Sequence, residues 1–281
     1  MNNATRLLGA ARLRDLLDRH GIRPARSLGQ NFVIDPNTIR KVVAAARLSA
    51  DDRVLEIGAG VGSLTLALAS ECRKVVAVEK DSRLVTALEE VLAGKTNAEI
   101  VAADAMTLDF SDLDVNKLVA NLPYNVAASI VLKTFEQAPA IEQLTVMTQK
   151  EVGERLLSAP GSRIYGQTSV LLAYFAEGEL AGRISRRAFY PVPRVDSVVV
   201  RLSRRRTLPD VEWRPFSALV KAAFSQRRKT LRNSLSSAVG AARAEELLIG
   251  AGLDPNVRAE AVDLNGYVRI AALTRREETM R

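Results

Sequence analysis

From residue 53 onward the chain alternates short apolar runs of β type with helical repeats, and the first run feeds directly into a glycine-rich turn. The pattern predicts strands at 53–57, 74–79, 98–102, 117–120 and 143–148. Helices are expected between and after them at 63–70, 82–91, 126–135, 151–157 and 166–176. Strands spaced one βα unit apart imply a parallel sheet covered by helices, an α/β, Rossmann-like domain. Two β-rich runs, 183–188 and 197–202, suit an antiparallel edge on that sheet. Arg204-Arg205-Arg206 then reads as a charged hinge, and only helical patterns follow, at 214–224, 228–239, 243–251 and 264–274. Ahead of the alternation lie a short amphipathic helix within 6–19 and a second helix opened by Asp35-Pro36-Asn37-Thr38. The expected division is a basic helical arm at 1–50, an α/β domain at 51–206 and a small all-helical domain at 207–281.

Ligand chemistry is concentrated at the carboxyl ends of the strands. Gly58, Gly60 and Gly62 make a Gly-x-Gly-x-Gly turn in which the backbone can bend sharply and a ligand can approach without meeting a Cβ. The dinucleotide fingerprint requires Gly at position 63, which is Ser63 here. Glu79 ends the second strand, where a carboxylate can accept both hydroxyls of a ribose, and Asp104 follows the third, placed to meet an adenine amino group. Together they favour an adenosine ligand without demanding a pyrophosphate, which fits S-adenosylmethionine better than NAD.

The fourth strand ends in Asn121-Leu122-Pro123-Tyr124-Asn125. An adenine N6 lone pair is delocalised into the ring and is a poor nucleophile. The Asn121 side-chain oxygen and the Leu122 carbonyl can accept its two N–H bonds as the nitrogen becomes tetrahedral, aiming the lone pair at a sulfonium methyl. Pro123 stiffens the turn, and Tyr124 offers a face to a base withdrawn from its stack. No general base is needed before transfer. Asn125 is expected to cap the next helix, and Glu151 to make a structural bond.

With these residues in place the chain resembles the KsgA/Dim family of ribosomal RNA adenine dimethyltransferases over nearly its whole length. The resemblance is carried by Ser27-Leu28-Gly29-Gln30-Asn31-Phe32, Glu56 to Thr65, Asn121 to Asn125, Gln149-Lys150-Glu151-Val152, Phe189 to Pro193 with Val195-Asp196-Ser197, and Arg227-Arg228-Lys229-Thr230-Leu231-Arg232. It implies a class I S-adenosylmethionine-dependent methyltransferase. Asn31, Val33, Gly58, Gly60, Glu79, Asp104 and Asn121 would then contact the donor. Asn121, Leu122, Pro123 and Tyr124 would form the catalytic turn, and Phe189 would stack on the target adenine. The family usually has Leu at Val33 and often Pro at Ala59; neither change removes a polar contact. The implied substrate is a pair of adjacent adenosines in the 3′-terminal hairpin loop of 16S rRNA, dimethylated in the immature 30S subunit during ribosome biogenesis.

Charge distribution agrees with a polyanionic partner. Residues 1–50 carry a net +6, residues 51–180 a net −8 and residues 181–281 a net +10, and 31 of the 40 basic residues are Arg. Arg227, Arg228, Lys229 and Arg232 are expected to meet rRNA phosphates, while Trp213 and Phe216 suit the core of the small domain. The single cysteine, Cys72, allows no intrachain disulfide and suits a reducing cytoplasm; with only one histidine, His20, no metal site of the usual zinc kind is expected. The longest apolar run, residues 170–176, is far short of a membrane span. Charged residues break the amino-terminal stretch that a secretory signal would need, and nothing asks for more than a monomer. Three rivals stand beside the leading reading. One is a large-subunit rRNA adenine methylase conferring antibiotic resistance, and another a ribosome-assembly binding factor. The third, a DNA adenine methyltransferase, is disfavoured because that class carries Asp where Asn121 stands.

Overall fold

In the computed structural model, residues 7–24, 29–226 and 228–278 are described. The elements are α1 (Ala10–Arg19), β1 (Phe32–Val33), α2 (Pro36–Ala46), β2 (Arg53–Ile57), α3 (Ser63–Leu68), β3 (Lys74–Glu79), α4 (Ser82–Val91), β4 (Ala98–Ala102) and β5 (Lys117–Asn121). They continue with α5 (Ala127–Gln137), β6 (Gln143–Gln149), α6 (Lys150–Leu156), α7 (Gln167–Phe175), β7 (Ala176–Ile184), β8 (Phe189–Tyr190) and β9 (Ser197–Arg204). Four helices close the chain: α8 (Trp213–Ala223), α9 (Leu231–Val239), α10 (Ala241–Gly250) and α11 (Leu264–Glu278). Among the described residues, no helix is long and apolar enough to cross a membrane.

The main sheet has seven strands in the order β4-β3-β2-β5-β6-β9-β7. Strands β4 to β6 pair in parallel, and β9 joins β6 antiparallel with Val146 opposite Val200. Val54, Leu55, Val75, Val76, Leu118 and Val119 are almost wholly buried, as expected of parallel strands covered on both faces. Helix α2 packs on β6 and β9, and α4 on β3 and β4. The start of α2 follows from its sequence: Asp35 accepts the N–H groups of Asn37 and Thr38, and Pro36 occupies the first turn. Helix α3 is entered from Gly62, whose left-handed backbone (φ +87°) suits glycine; a Cβ there would meet the Leu88 side chain of α4 at 2.7 Å.

The chain divides into two compact units, which differ from the sequence-based division. The first comprises residues up to Gly153 together with Gly178–Arg204; the second comprises Glu154–Glu177 and the residues from Arg205 on. Helix α7 therefore belongs with the helical unit, although its place in the βα alternation puts it within 51–206. The reason lies in its aromatic residues. Tyr174 and Phe175 pack against Trp213 and Phe216 with ring centres 4.4–5.2 Å apart for Tyr174–Trp213, Tyr174–Phe216 and Phe175–Trp213. The Trp213 and Phe216 expectation is thus met by a core that α7 completes.

Other expectations need correction. Residues 183–188 are not one β run: β7 stops at Ile184, and a 3-10 turn follows at Arg186–Ala188, opened by Ser185 accepting the Arg187 N–H. Nor is 204–206 simply a solvated hinge. The Arg204 guanidinium donates to the carbonyls of Phe135, Ala138 and Ile141 and lies over the Phe135 ring. In the other unit, Arg205 donates to Ala173 O and pairs with Glu177. Strand β1, pairing antiparallel with β8, was not anticipated.

Candidate functional site

A cavity opens at the carboxyl ends of β2 to β5, beside the place where the strand order reverses between β2 and β5. In open α/β sheets this is where ligands bind. Its walls include Asn31, Val33, Gly58, Gly60, Glu79, Asp104, Asn121, Leu122, Pro123 and Tyr124. The expected donor residues and the whole Asn121–Tyr124 turn are therefore brought together.

The glycine loop is tied to β3 by backbone bonds, Gly58 N–H and Ala59 N–H both donating to Val78 O. Gly60 has φ +59°, and a Cβ there would lie 3.2 Å from the Phe32 ring. Glu79 is more engaged than its sequence position suggests. Its Oε2 accepts the Gly60 N–H at 2.9 Å, and its Oε1 accepts the Lys80 and Asp81 N–H groups, each at 2.9 Å. A carboxylate offers about four lone-pair sites, so one remains for a ribose hydroxyl, and accepting both hydroxyls means releasing a backbone donor. Asp104 accepts the Met106 N–H through Oδ1 at 2.8 Å, while Oδ2 lies 3.9 Å from Lys80 Nζ.

Two carboxyls in the walls were not among the expected site residues. Glu56 is 2% exposed and its Oε2 has no hydrogen-bond partner. Burial pushes its pKa up to about 8, and the neighbouring Glu79 carboxylate adds to the rise. The available signal was a carboxylate inside an otherwise apolar buried strand. Asp81 caps α4, and its carboxyl is held down to about 2, first by the Arg83 guanidinium; it also accepts from Gln30 at 3.0 Å.

At the Asn121–Tyr124 turn, Leu122 N–H donates to Met147 O at 3.0 Å, fixing the chain as it leaves β5. Asn121 Nδ2 donates to Asn31 O at 3.1 Å, which commits the amide nitrogen to the protein and leaves Oδ1 as the acceptor. Asn31 turns its own side chain to Gly29 O at 3.1 Å, so its backbone carbonyl orients Asn121. The Tyr124 hydroxyl meets Ser197 Oγ at 3.3 Å, and burial raises its phenol above the ordinary value.

Phe189, expected to stack on the target adenine, is not among the residues lining the cavity. It pairs with Val33 across β1 and β8 and is 0% exposed, a core ring with no free face for a base. Its neighbour Tyr190 is half-buried, with the Arg14 guanidinium 5.3 Å from its ring centre. Asn125 does not cap α5: that helix begins after Val126 with no side-chain cap. In the helical unit, Arg228 and Lys229 are exposed, whereas Arg232 is paired with Glu245 at 3.1 Å. Arg227, like Ser27 and Leu28 of the amino-terminal motif, lies outside the described residues.

The donor set suits an adenosine with a cationic tail: carboxylates at the ends of β3 and β4, glycines without Cβ, and an unpartnered buried Glu56 oxygen in the wall. No cluster of metal-ligating side chains occurs among the described residues.

Comparison with known proteins agrees with this geometry. The family described as "Ribosomal RNA adenine dimethylase" matches residues 22–275. A protein of Thermobifida fusca named ribosomal RNA small subunit methyltransferase A is 48% identical over 274 residues, covering 95% of this chain and 96% of its own. One of the same name from Kineococcus radiotolerans is 46% identical, covering 95% and 91%. Among solved structures, the 23S rRNA methyltransferase ErmE superposes with a TM-score of 0.67 at 30% identity, covering 86% of this chain and 98% of its own. A dimethyladenosine transferase from Plasmodium falciparum superposes at 0.75 with 23% identity, covering 88% and 98%, and shares the fold.

Proposed function

Because the chain belongs to the ribosomal RNA adenine dimethylase family, we propose that it transfers methyl groups from S-adenosylmethionine to N6 of two adjacent adenosines in the 3′-terminal hairpin loop of 16S rRNA. The observation that carries this reading is the Asn121 side chain, held by the Asn31 carbonyl with its oxygen left as an acceptor beside the glycine loop. When bound, S-adenosylmethionine supplies an electrophilic methyl on a sulfonium. Asp104 and Glu79 hold the adenine and ribose ends of the donor. Asn121 Oδ1 and Leu122 O accept the two N–H bonds of the target amine, favouring a tetrahedral nitrogen whose lone pair is aimed at the methyl. These acceptors interact more strongly as positive charge grows on N6, which stabilises the transition state more than the ground state. Pro123 limits the motion of the turn. The proton leaves the product amine after transfer, so no buried general base is required.

The substrate is read as rRNA within the immature 30S subunit, the protein as a cytoplasmic monomer, and Arg228 and Lys229 as phosphate contacts. Small-subunit specificity is supported by relatives of 41–48% identity that carry that name. The likeness to ErmE favours one alternative, methylation of large-subunit rRNA. Transfer of labelled methyl to immature 30S subunits, 50S subunits and DNA separates them. Label confined to 30S, in two adjacent dimethyladenosines, is the expected result; label in 50S alone would give the site to the alternative.

A further inference from the structure

Between β4 and β5 the chain makes a single helical turn, Thr107 N–H and Leu108 N–H both returning to Asp104 O at 3.0 and 2.9 Å. A turn that stops so early leaves its later carbonyls without donors from its own backbone. One side chain supplies them. Lys133, on α5, donates from Nζ to Ala105 O at 2.9 Å, Met106 O at 2.8 Å and Leu108 O at 2.7 Å. All three protons of an ammonium group are thereby used. The group also lies 4.7 Å from the centre of the buried Phe110 ring, and the Asp109 and Asp104 carboxylates act on it electrostatically. Burial lowers its pKa, and these two carboxylates oppose that shift.

What this lysine holds matters to the cavity. Asp104, Ala105 and Met106 form the wall at the expected adenine end, and Val126 and Ile130 of the region around the start of α5 line the cavity too. Apolar packing of Phe110 fixes where the segment lies. Three directional bonds additionally fix the orientation of its peptide groups, and with them the direction of the Asp104 side chain, whose Oδ1 is already bound to Met106 N–H within the same turn. We propose that Lys133 is a positioning residue for the donor: by fastening the 104–108 turn to α5 it sets Asp104 where it can accept the N6 amine of the donor's own adenine. This rests on reading the cavity as the S-adenosylmethionine site, and it adds adenine selectivity as a property that Lys133 controls through Asp104.

The test compares two ligands of the full-length protein by calorimetry, S-adenosylhomocysteine and S-inosylhomocysteine, in which a carbonyl replaces the N6 amine. The parent should prefer the adenosyl compound by tenfold or more. Lys133→Met keeps the hydrocarbon stem over Phe110 and removes the donors. It should weaken the adenosyl ligand about tenfold, leave the inosyl ligand within about twofold, and so collapse the preference. The KM for S-adenosylmethionine should rise in step while kcat at saturating donor stays within about twofold. Lys133→Gln, which keeps two donors, should fall between parent and Met, and it serves alone if the Met variant does not fold. In an Asp104→Ala background, the Met substitution should cost no further adenosyl affinity, since its effect would already be lost. Equal weakening of both ligands, an unchanged preference, or additive losses with Asp104→Ala would reduce Lys133 to a scaffold contact. A parent that binds neither ligand would instead overturn the cavity reading itself.

Discussion

Gly60, in the glycine loop after β2, and Glu79, at the end of β3, are joined by a 2.9 Å bond from the glycine N–H to the carboxylate. With the Lys80 and Asp81 N–H groups on its other oxygen, Glu79 organises the floor of the cavity as well as lining it. Glu79→Ala should therefore do two things together. Loss of charge-assisted bonds worth ~1.5–3 kcal/mol should weaken S-adenosylmethionine roughly ten- to a hundredfold. Three backbone donors would also lose their acceptor, so the melting temperature should fall even without ligand. Calorimetry and a thermal melt on the same preparation check both; unchanged donor affinity would remove Glu79 from the site.

Asn121→Ala removes the acceptor from the target amine without touching the carboxylates of the donor pocket. By analogy with loss of one oxyanion-hole donor, kcat should fall by roughly two orders of magnitude or more, with subunit binding nearly unchanged. Asn121→Asp keeps acceptors but turns an oxygen toward Asn31 O, which now receives the amide N–H. It should lose part of the rate through misorientation of the turn. Single-turnover rates on immature 30S subunits separate the variants; a fully active Ala variant would contradict the catalytic role.

Glu56 provides a prediction about pH. In the folded protein its carboxyl is held near 8 against an ordinary value of 4.5, chiefly by burial. The folded state thus keeps a proton that the unfolded chain releases, and its stabilising effect is complete below about 4.5 and lost as pH rises to about 8. Urea melts should show this carboxyl contributing a decline of at most ~1.4 kcal/mol per pH unit across that window. Glu56→Gln, which cannot ionise, should flatten the decline and be the more stable protein at pH 8.5. Parallel curves for parent and variant would mean that Glu56 is solvated in solution.

The strands and the cavity at their carboxyl ends were legible because their physics is local. Apolar runs of five or six residues, a glycine turn after the first, and Glu79 and Asp104 at the following strand ends can be read without knowing the fold. What escaped notice depends on distant pairing. β1 is only two residues long, and its meaning appears when it pairs with β8 and buries Phe189. Helix α7 has the spacing of a βα unit, yet its Tyr174 and Phe175 find their partners on α8. Arg204 looked like part of a solvated charge run because its three carbonyl partners lie 63 to 69 residues away. Glu56 was visible as an acid among apolar neighbours, but its burial beside Glu79 needs both strands in register, Glu56 opposite Ala77.

The basic cluster of the helical unit divides by its carboxylate partners. Arg228 and Lys229 are exposed, while Arg232 shares its charge with Glu245 at 3.1 Å. An arginine already paired must leave its carboxylate, or bring it along, to meet a phosphate, so the three should not contribute equally. Replacing Arg228 and Lys229 together with Ala should weaken 30S binding and flatten the slope of log K against log salt by about 1.5 units, using ~0.7–0.9 per phosphate contact. Arg232→Ala should change the slope by well under one unit, because it removes a cation whose field Glu245 already offsets. Methyl transfer at saturating subunits should survive in both, since none of these residues is in the cavity walls, which come from positions between Gly29 and Ile130. Filter binding across a salt series measures the slopes. If the double variant titrates like the parent, Arg228 and Lys229 are an ordinary solvated face. If Arg232→Ala alone flattens the slope by a full unit, then Arg232 leaves Glu245 to bind phosphate in the complex.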